Sequence, residues 1–212
     1  MGTIEALSLA MGTAWTSGIN LYATVAALGL AGRLDMIRLP QSLEVLTNPV
    51  VIAVACIMYA IEFFADKVPY VDNGWDVLHT FIRVPAGAIL AARSLGDMSP
   101  ALELAALLAG GGIALAAHGA KATSRLAINA SPEPFSNWIA SFAEDLAVLG
   151  GIWIIFNHPW LMVVLVFVFL VLAVWIVPKI FRSAKRGFAA LRKRLRGVKT
   201  DQTAATGTPQ MP

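Results

Sequence analysis

Apolar residues fill this chain in long runs, and short polar clusters interrupt them. A membrane-crossing helix takes about 20 mostly apolar residues. Six stretches approach that length: Ile4–Leu30, Pro49–Phe64, Leu78–Leu95, Ala101–Leu126, Trp138–Phe156 and Trp160–Val177. The last is unbroken by any polar side chain. Breakers and turn formers separate the runs: Pro40, the segment Pro69-Tyr70-Val71-Asp72-Asn73-Gly74, Pro100, the segment Ser131-Pro132-Glu133-Pro134, and His158-Pro159. Trp75, Trp138 and Trp160 stand at the ends of runs, where an indole anchors well at the headgroup level. The pattern predicts an all-α fold, a polytopic transmembrane helix bundle of about six spans occupying residues 1–178.

Composition sharpens this picture. The chain is 58% hydrophobic and only 14% charged, with a mean hydropathy of +0.70, whereas soluble domains carry about 25% charged residues. The net charge of +3 hides a division. Nine of the sixteen Lys and Arg lie between Lys179 and Lys199. Residues 1–178 hold seven against twelve Asp and Glu, a balance of −5. The basic excess therefore belongs to the tail, which excludes a folded nucleic-acid-binding surface as its explanation. The single cysteine, Cys56, rules out an intrachain disulfide and reads as span packing. The first basic residue is Arg33, so the N-terminus lacks the charged start of a signal peptide, and the first span is expected to persist.

In the tail, Phe181, Ala184, Phe188, Leu191, Leu195 and Val198 recur at spacings of three and four among Arg182, Lys185, Arg186, Arg192, Lys193, Arg194 and Arg196. Residues 179–199 are therefore expected to form a basic amphipathic helix on the cytoplasmic face. It serves either to bind anionic inner-leaflet lipids or simply to anchor topology. Residues 200–212 are small and polar, a composition that predicts disorder. So basic a tail faces the cytoplasm. Six spans then place the N-terminus there too, in an inner (plasma) membrane. Arg33, Arg38 and Arg93 on the opposing loops leave the tail to decide the orientation.

The informative polar residues are those inside or beside the apolar runs. Ionisable groups at membrane depth are costly, face the bundle interior and mark ion or substrate paths. Glu62 and Asp66 lie four apart, and Asp76, His79 and Arg83 follow at spacings of three and four, so each set shares a helix face. His118, Lys121 and Arg125 form a basic stripe on the fourth run, while Asn137, Ser141, Glu144 and Asp145 follow on the fifth. The short link between the second and third runs predicts antiparallel neighbours, with the acidic face meeting His79 and Arg83. Glu144 and Asp145 are adjacent, about 100° apart around a helix, so one is expected to meet the basic stripe and the other a cavity. Helix–helix ion pairing alone is the alternative role, but so many charges exceed what packing requires.

Gly18, beside Asn20, is the better candidate for an unwound segment that coordinates a solute, whereas Gly110-Gly111-Gly112 reads as close packing. Ser17-Gly18-Ile19-Asn20 resembles His118-Gly119-Ala120-Lys121, and Phe63-Phe64-Ala65-Asp66 resembles Phe142-Ala143-Glu144-Asp145, which permits a 3+3 inverted repeat. Small residues such as Ala105, Ala109 and Gly112 permit either internal packing or a homo-oligomer. Asp72, Asp76 and His79 are conceivable metal ligands, but no tight His/Cys pattern accompanies them. No cofactor is indicated, and P-loop, G-x-S-x-G and H-E-x-x-H motifs are absent.

The strings GINLYATVAALGL, FFADKVPYVDNGWDVLHTFIRVPAGAIL and HGAKATSRLAINASPEPFSNWIASFAED resemble a bacterial integral-membrane family catalogued as domain of unknown function 4126. The resemblance covers about residues 5–175 and is most specific in Val-Pro-Tyr-Val-Asp and Ser-Pro-Glu-Pro-Phe-Ser-Asn. It implies a polytopic inner-membrane protein and brings no activity, substrate or catalytic residues. The residues themselves favour a small secondary transporter for a cation, a proton-coupled solute or a lipid-linked substrate. Asn20, Glu62, Asp66, Asp76, His79, Arg83, His118, Lys121, Arg125, Glu144 and Asp145 would line its path. An intramembrane enzyme acting on a lipid headgroup and a non-catalytic membrane scaffold are the competing readings, and an enzyme is the less favoured.

Overall fold

A computed structural model describes residues 2–129 and 134–205, with side chains except those of residues 69, 70, 73, 134 and 183–205. It is all-helical. The helices are α1 (Thr3–Ile19), α2 (Leu21–Arg33), α3 (Pro49–Ala65), α4 (Pro69–Ser94), α5 (Pro100–Asn129), α6 (Pro134–Asn157) and α7 (Pro159–Ala205), with a 3₁₀ helix at Gln41–Thr47 before α3. Five of them open on proline, whose fixed φ and missing N–H suit the first helical position. This explains a departure from expectation. The segment from Pro69 to Gly74 is the start of α4, not a connection, and only Asp66–Val68 links α3 to α4.

Three helical segments are long and apolar enough to cross a bilayer: Pro100–Asn129, Phe135–Asn157 and Pro159–Arg182. A fourth is reached if the 3₁₀ helix and α3, bent by 65°, count as one span. The expectation of six is thus met only in part. α1 and α2 are 17 and 13 residues long and separated by a break, each short of the about 20 residues a span takes. α4 has 26 residues but carries Asp72, Asp76, Arg83 and Arg93. α7 continues as one helix from the apolar run into the basic stretch. The side chains that would form the expected amphipathic face beyond Arg182, and residues 206–212 of the expected disordered tail, lie outside the described residues.

The bundle inverts the usual polarity of a folded protein. Leu108, Phe81, Ile139, Leu146 and Val174 point outward at 70–77% exposure, while Arg83, Arg125 and Glu62 are fully buried. A surface of this kind is solvated by hydrocarbon, where there is no water to satisfy polar groups. α1 lies at the centre, packed against α4, α5, α6 and α7. It is lined by the small buried residues Ser8, Thr13, Thr16 and Ser17. Their hydroxyls return to nearby acceptors: Ser8 Oγ to Ile155 O (3.2 Å), Thr16 Oγ1 to Gly12 O (2.9 Å) and Ser17 Oγ to Ala14 O (3.0 Å). Small residues let membrane helices approach closely. At Gly18 a Cβ would lie 2.5 Å from Ala114 O and 2.7 Å from Ala117 Cβ, and one at Gly87 would run into Ala114 and Ser17. Gly18 therefore serves packing against α5, and the backbone breaks two residues later.

That break is Asn20, with extended backbone at φ −147°, ψ 101°. Its N–H closes α1 by donating to Thr16 O (2.9 Å), and its Oδ1 accepts from Ala23 N (2.9 Å) to open α2. Asparagine suits the position because a short side-chain acceptor replaces the carbonyl a continuous helix would supply. The matching stretch His118–Lys121 stays helical inside α5. The short α3–α4 link does not make those helices close neighbours either. α3 packs chiefly on α2, and α4 on α5 and α1.

Candidate functional site

The last turns of α3, the first turns of α4, the C-terminal half of α5 and the N-terminal half of α6 meet around one buried polar cluster. Arg83 on α4 donates to Glu62 Oε1 on α3 at 2.6 Å, with both side chains fully buried. Asp76 Oδ1 lies 3.5 Å from Arg83 Nη1, an electrostatic contact longer than a good hydrogen bond. Lys121 on α5 sits among three carboxylates, at 3.0 Å from Asp66, 3.3 Å from Glu144 and 3.4 Å from Glu62. Arg125 makes a two-pronged pair with Glu144 (Nε to Oε1 2.9 Å, Nη2 to Oε2 2.7 Å). It also donates to Asp66 Oδ2 (3.4 Å), Asp66 O (3.2 Å) and Asn137 O (3.2 Å). All five of its N–H groups are thereby used.

His118 is held neutral by its partners. Arg83 Nη1 can only donate, so His118 Nδ1 accepts from it (3.2 Å), and the ring proton sits on Nε2, directed at Asp76 O (3.0 Å) and Thr80 Oγ1 (2.8 Å). His79 donates from Nδ1 to Trp75 O (2.9 Å) and shares a hydrogen bond with the Tyr22 hydroxyl at Nε2 (3.1 Å), with the Trp75 ring stacked on it at 4.5 Å. The expectation that His79 meets the acidic face therefore fails. α4 turns it toward α2 instead.

Asp145 faces away from the basic stripe, as its neighbour's pairing requires. Tyr59 donates to its Oδ2 (3.0 Å) and Asn20 Nδ2 to its Oδ1 (3.4 Å). The helix break thus reaches the cluster through the same side chain that caps α2. Glu144 lines a cleft between α5, α6 and α7; Asp145 does not. Among the described residues, several carboxylate oxygens accept no hydrogen bond: Glu62 Oε2, Asp66 Oδ1, Asp72 Oδ1 and both oxygens of Asp76.

All eleven residues singled out from the sequence fall in or directly beside this cluster. Sequence reasoning passed over Tyr22, Tyr59 and Lys67. The tyrosines carried a usable signal, since a hydroxyl inside an apolar run needs a partner. Lys67, in the α3–α4 turn, lies 3.0 Å over the Phe63 ring, near Trp138 and Phe142, and donates to Phe63 O (2.8 Å). Burial lowers its pKa from 10.5, opposed in part by Asp145 and Asp66. The conceivable metal ligands do not converge. Asp72 accepts from Asn129 Nδ2 (2.8 Å), both nitrogens of His79 are engaged, and among the described residues no group of three His, Cys, Asp or Glu is placed to hold an ion.

No curated protein and no solved structure matches the chain. A family model matches residues 7–179, which take in every helix of the cluster. The protein belongs to the family described as a domain of unknown function (DUF4126).

Proposed function

We propose that this protein is a small secondary transporter in which the buried carboxylates bind a proton or cation that couples to solute movement. The observation that carries the reading is the junction at Asn20. A helix breaks inside the bundle, and the side chain that caps the new helix also holds Asp145, beside a cluster richer in carboxylates than in cations. Broken helices that place backbone ends and polar side chains at a buried site are how secondary transporters bind ions. Carboxylate oxygens without donors, on Glu62, Asp66 and Asp76, are the acceptors such a species would use.

In this reading the chain crosses the membrane six times. α1 and α2 form one broken span, α3 with its 3₁₀ lead-in a second, and α4 to α7 the rest, with α4 tolerated because its charges face the cluster. The basic C-terminal stretch places both termini in the cytoplasm, against anionic lipid of an inner membrane. The 3+3 inverted repeat is not needed, since the break at Asn20 has no counterpart in the continuous helix α5.

Reconstitution in proteoliposomes tests the function. Wild-type protein is expected to carry protons or sodium down an imposed gradient, and Asp66→Asn with Asp145→Asn to abolish that flux while the protein still reconstitutes. Undiminished flux in the double variant would remove these residues from the path. Absence of flux in wild type under both gradients would remove coupled transport.

A further inference from the structure

We infer that the trough between α6 and α7 is the binding site for an amphiphile with one long alkyl chain and a cationic, ammonium-type head. This names a substrate class and rests on the transporter reading above. α6 and α7 follow one another in sequence yet pack only sparsely on each other. Between them lie two hollows, of about 460 and about 410 Å³, that share Ala147, Phe169 and Leu172 as a common waist. The α7 residues along them run from Met162 to Ile180, a length of about 27 Å at 1.5 Å per residue. The trough therefore takes a chain lengthwise. Its floor on α6 is made of small residues, and a Cβ placed on Gly150 would meet nothing within 4 Å.

Polarity is confined to one end, where Lys121, Thr123, Ser124 and Glu144 line the first hollow. The second hollow has Trp15 and Ile154 among its apolar walls. A slot that is apolar along its shaft and charged at one end fits an amphiphile better than a small ion or a purely apolar molecule.

The head chemistry follows from which donors and acceptors are already used. Lys121 spends its ammonium on Glu62, Asp66 and Glu144, and Arg125 spends all five N–H groups, so neither has a donor left for a phosphate or carboxylate head. Glu144 is the one ion-paired carboxylate whose side chain opens to the trough, at 16% exposure against 5% or less for Glu62, Asp66 and Asp76. The polar end thus presents the Glu144 carboxylate and no free cationic donor, which favours a cationic head over an anionic one. Lys179 on α7 lies over the Trp175 ring at 3.3 Å and is not part of the lining.

The test uses the full chain in neutral-lipid nanodiscs, titrated with a brominated-chain alkyltrimethylammonium and with the alkyl phosphate of equal length. Fluorescence quenching is read at Trp15 as the difference from Trp15→Phe. Saturable quenching by the cationic probe is expected, at least tenfold weaker for the phosphate and at least tenfold weaker in Gly150→Leu, whose Cβ meets nothing within 4 Å. Equal response to both heads means ordinary lipid fills the trough and overturns the inference. A Gly150→Leu that binds as wild type does so as well, and so does one that changes the oligomeric state, because a second copy would then cover the trough. Gradient-driven flux sensitive to Asp66→Asn and Asp145→Asn, with no cationic selectivity at Trp15, would leave transport standing and remove this inference alone. Selective binding without flux would do the reverse.

Discussion

Arg125 is the residue whose loss the structure makes most expensive. It joins α5 to α3 and α6 through five hydrogen bonds, and none of its N–H groups faces solvent. Polar contacts in membrane bundles contribute about 0.6 kcal/mol each on average, so five give about 3 kcal/mol. Removing one partner of a buried ion pair costs about 3–5 kcal/mol, because the other charge is stranded. The two routes agree near 3 kcal/mol, so Arg125→Met should lower the thermal midpoint in detergent by about 6–12 °C for a chain of this size. Arg125→Lys keeps the charge but has three donors and no planar fork, and should recover about half of the loss. Adding Glu144→Leu to Arg125→Met should cost less than the two changes summed, since the carboxylate left unpaired by the first is removed by the second. The assay is thermal unfolding of five proteins in one detergent (wild type, Arg125→Met, Arg125→Lys, Glu144→Leu and the double variant), followed by size exclusion to confirm that each begins folded. If Arg125→Met unfolds within about 2 °C of wild type, or the double variant is strictly additive, the fork is ornamental and the energetic reasoning is wrong.

Lys67 gives a pH dependence whose sign is fixed by its burial. Its folded pKa lies below 10.5, so the unfolded chain holds the proton to higher pH than the folded one. Stability should therefore climb between the folded pKa and 10.5, and wild type should gain thermal midpoint over Lys67→Gln as pH rises from 8 to 10.5; parallel curves would refute it. Orientation is read by chemistry at the tail. Thr200→Cys in a Cys56→Ala background should react with a membrane-impermeant maleimide in inverted vesicles and stay silent in intact cells, and the opposite pattern would place the basic tail outside.

How much of this was legible in the sequence depends on how far apart the interacting residues lie. The apolar runs located α3, α5, α6 and the start of α7 to within a few residues, because hydropathy is a local property. The stripes Glu62/Asp66 and His118/Lys121/Arg125 were legible for the same reason, since a helical period of 3.6 fixes which residues share a face. The break in the first run was read two residues early, at Gly18, because glycine suits unwinding and close packing alike, and here it packs against α5. The pairing was legible only in part: Glu62 meets Arg83, and Glu144 the basic stripe, as expected. Nothing local says that α4 packs on α5 rather than α3, and so His79 was paired with acids it never meets while Tyr22, fifty-seven positions away, holds its ring. Turn residues misled at Pro69–Gly74, where proline opens a helix instead of interrupting the chain.

The charge balance ties these observations to function. Glu62, Asp66, Asp72, Asp76, Glu144 and Asp145 gather around Arg83, Lys121, Arg125 and the more peripheral Lys67, and His118 is neutral by the geometry of its partners. The acids outnumber the Lys and Arg by two, so full ionisation would leave negative charge uncompensated in surroundings where that is costly. A cluster built only to hold helices together would be expected to balance, as buried ion pairs do. A surplus of acid is instead the condition under which protons or a cation become part of the folded state, and under which their departure changes the pull on Lys121 and Arg125. Those two cations bridge α3 and α6 through Asp66 and Glu144, so occupancy of the cluster and the spacing of the helices beside the α6–α7 trough are linked through the same side chains. An ion whose binding tightens or relaxes that bridge would alter the trough's charged end without touching its apolar shaft, which is the coupling a carrier of cationic amphiphiles requires.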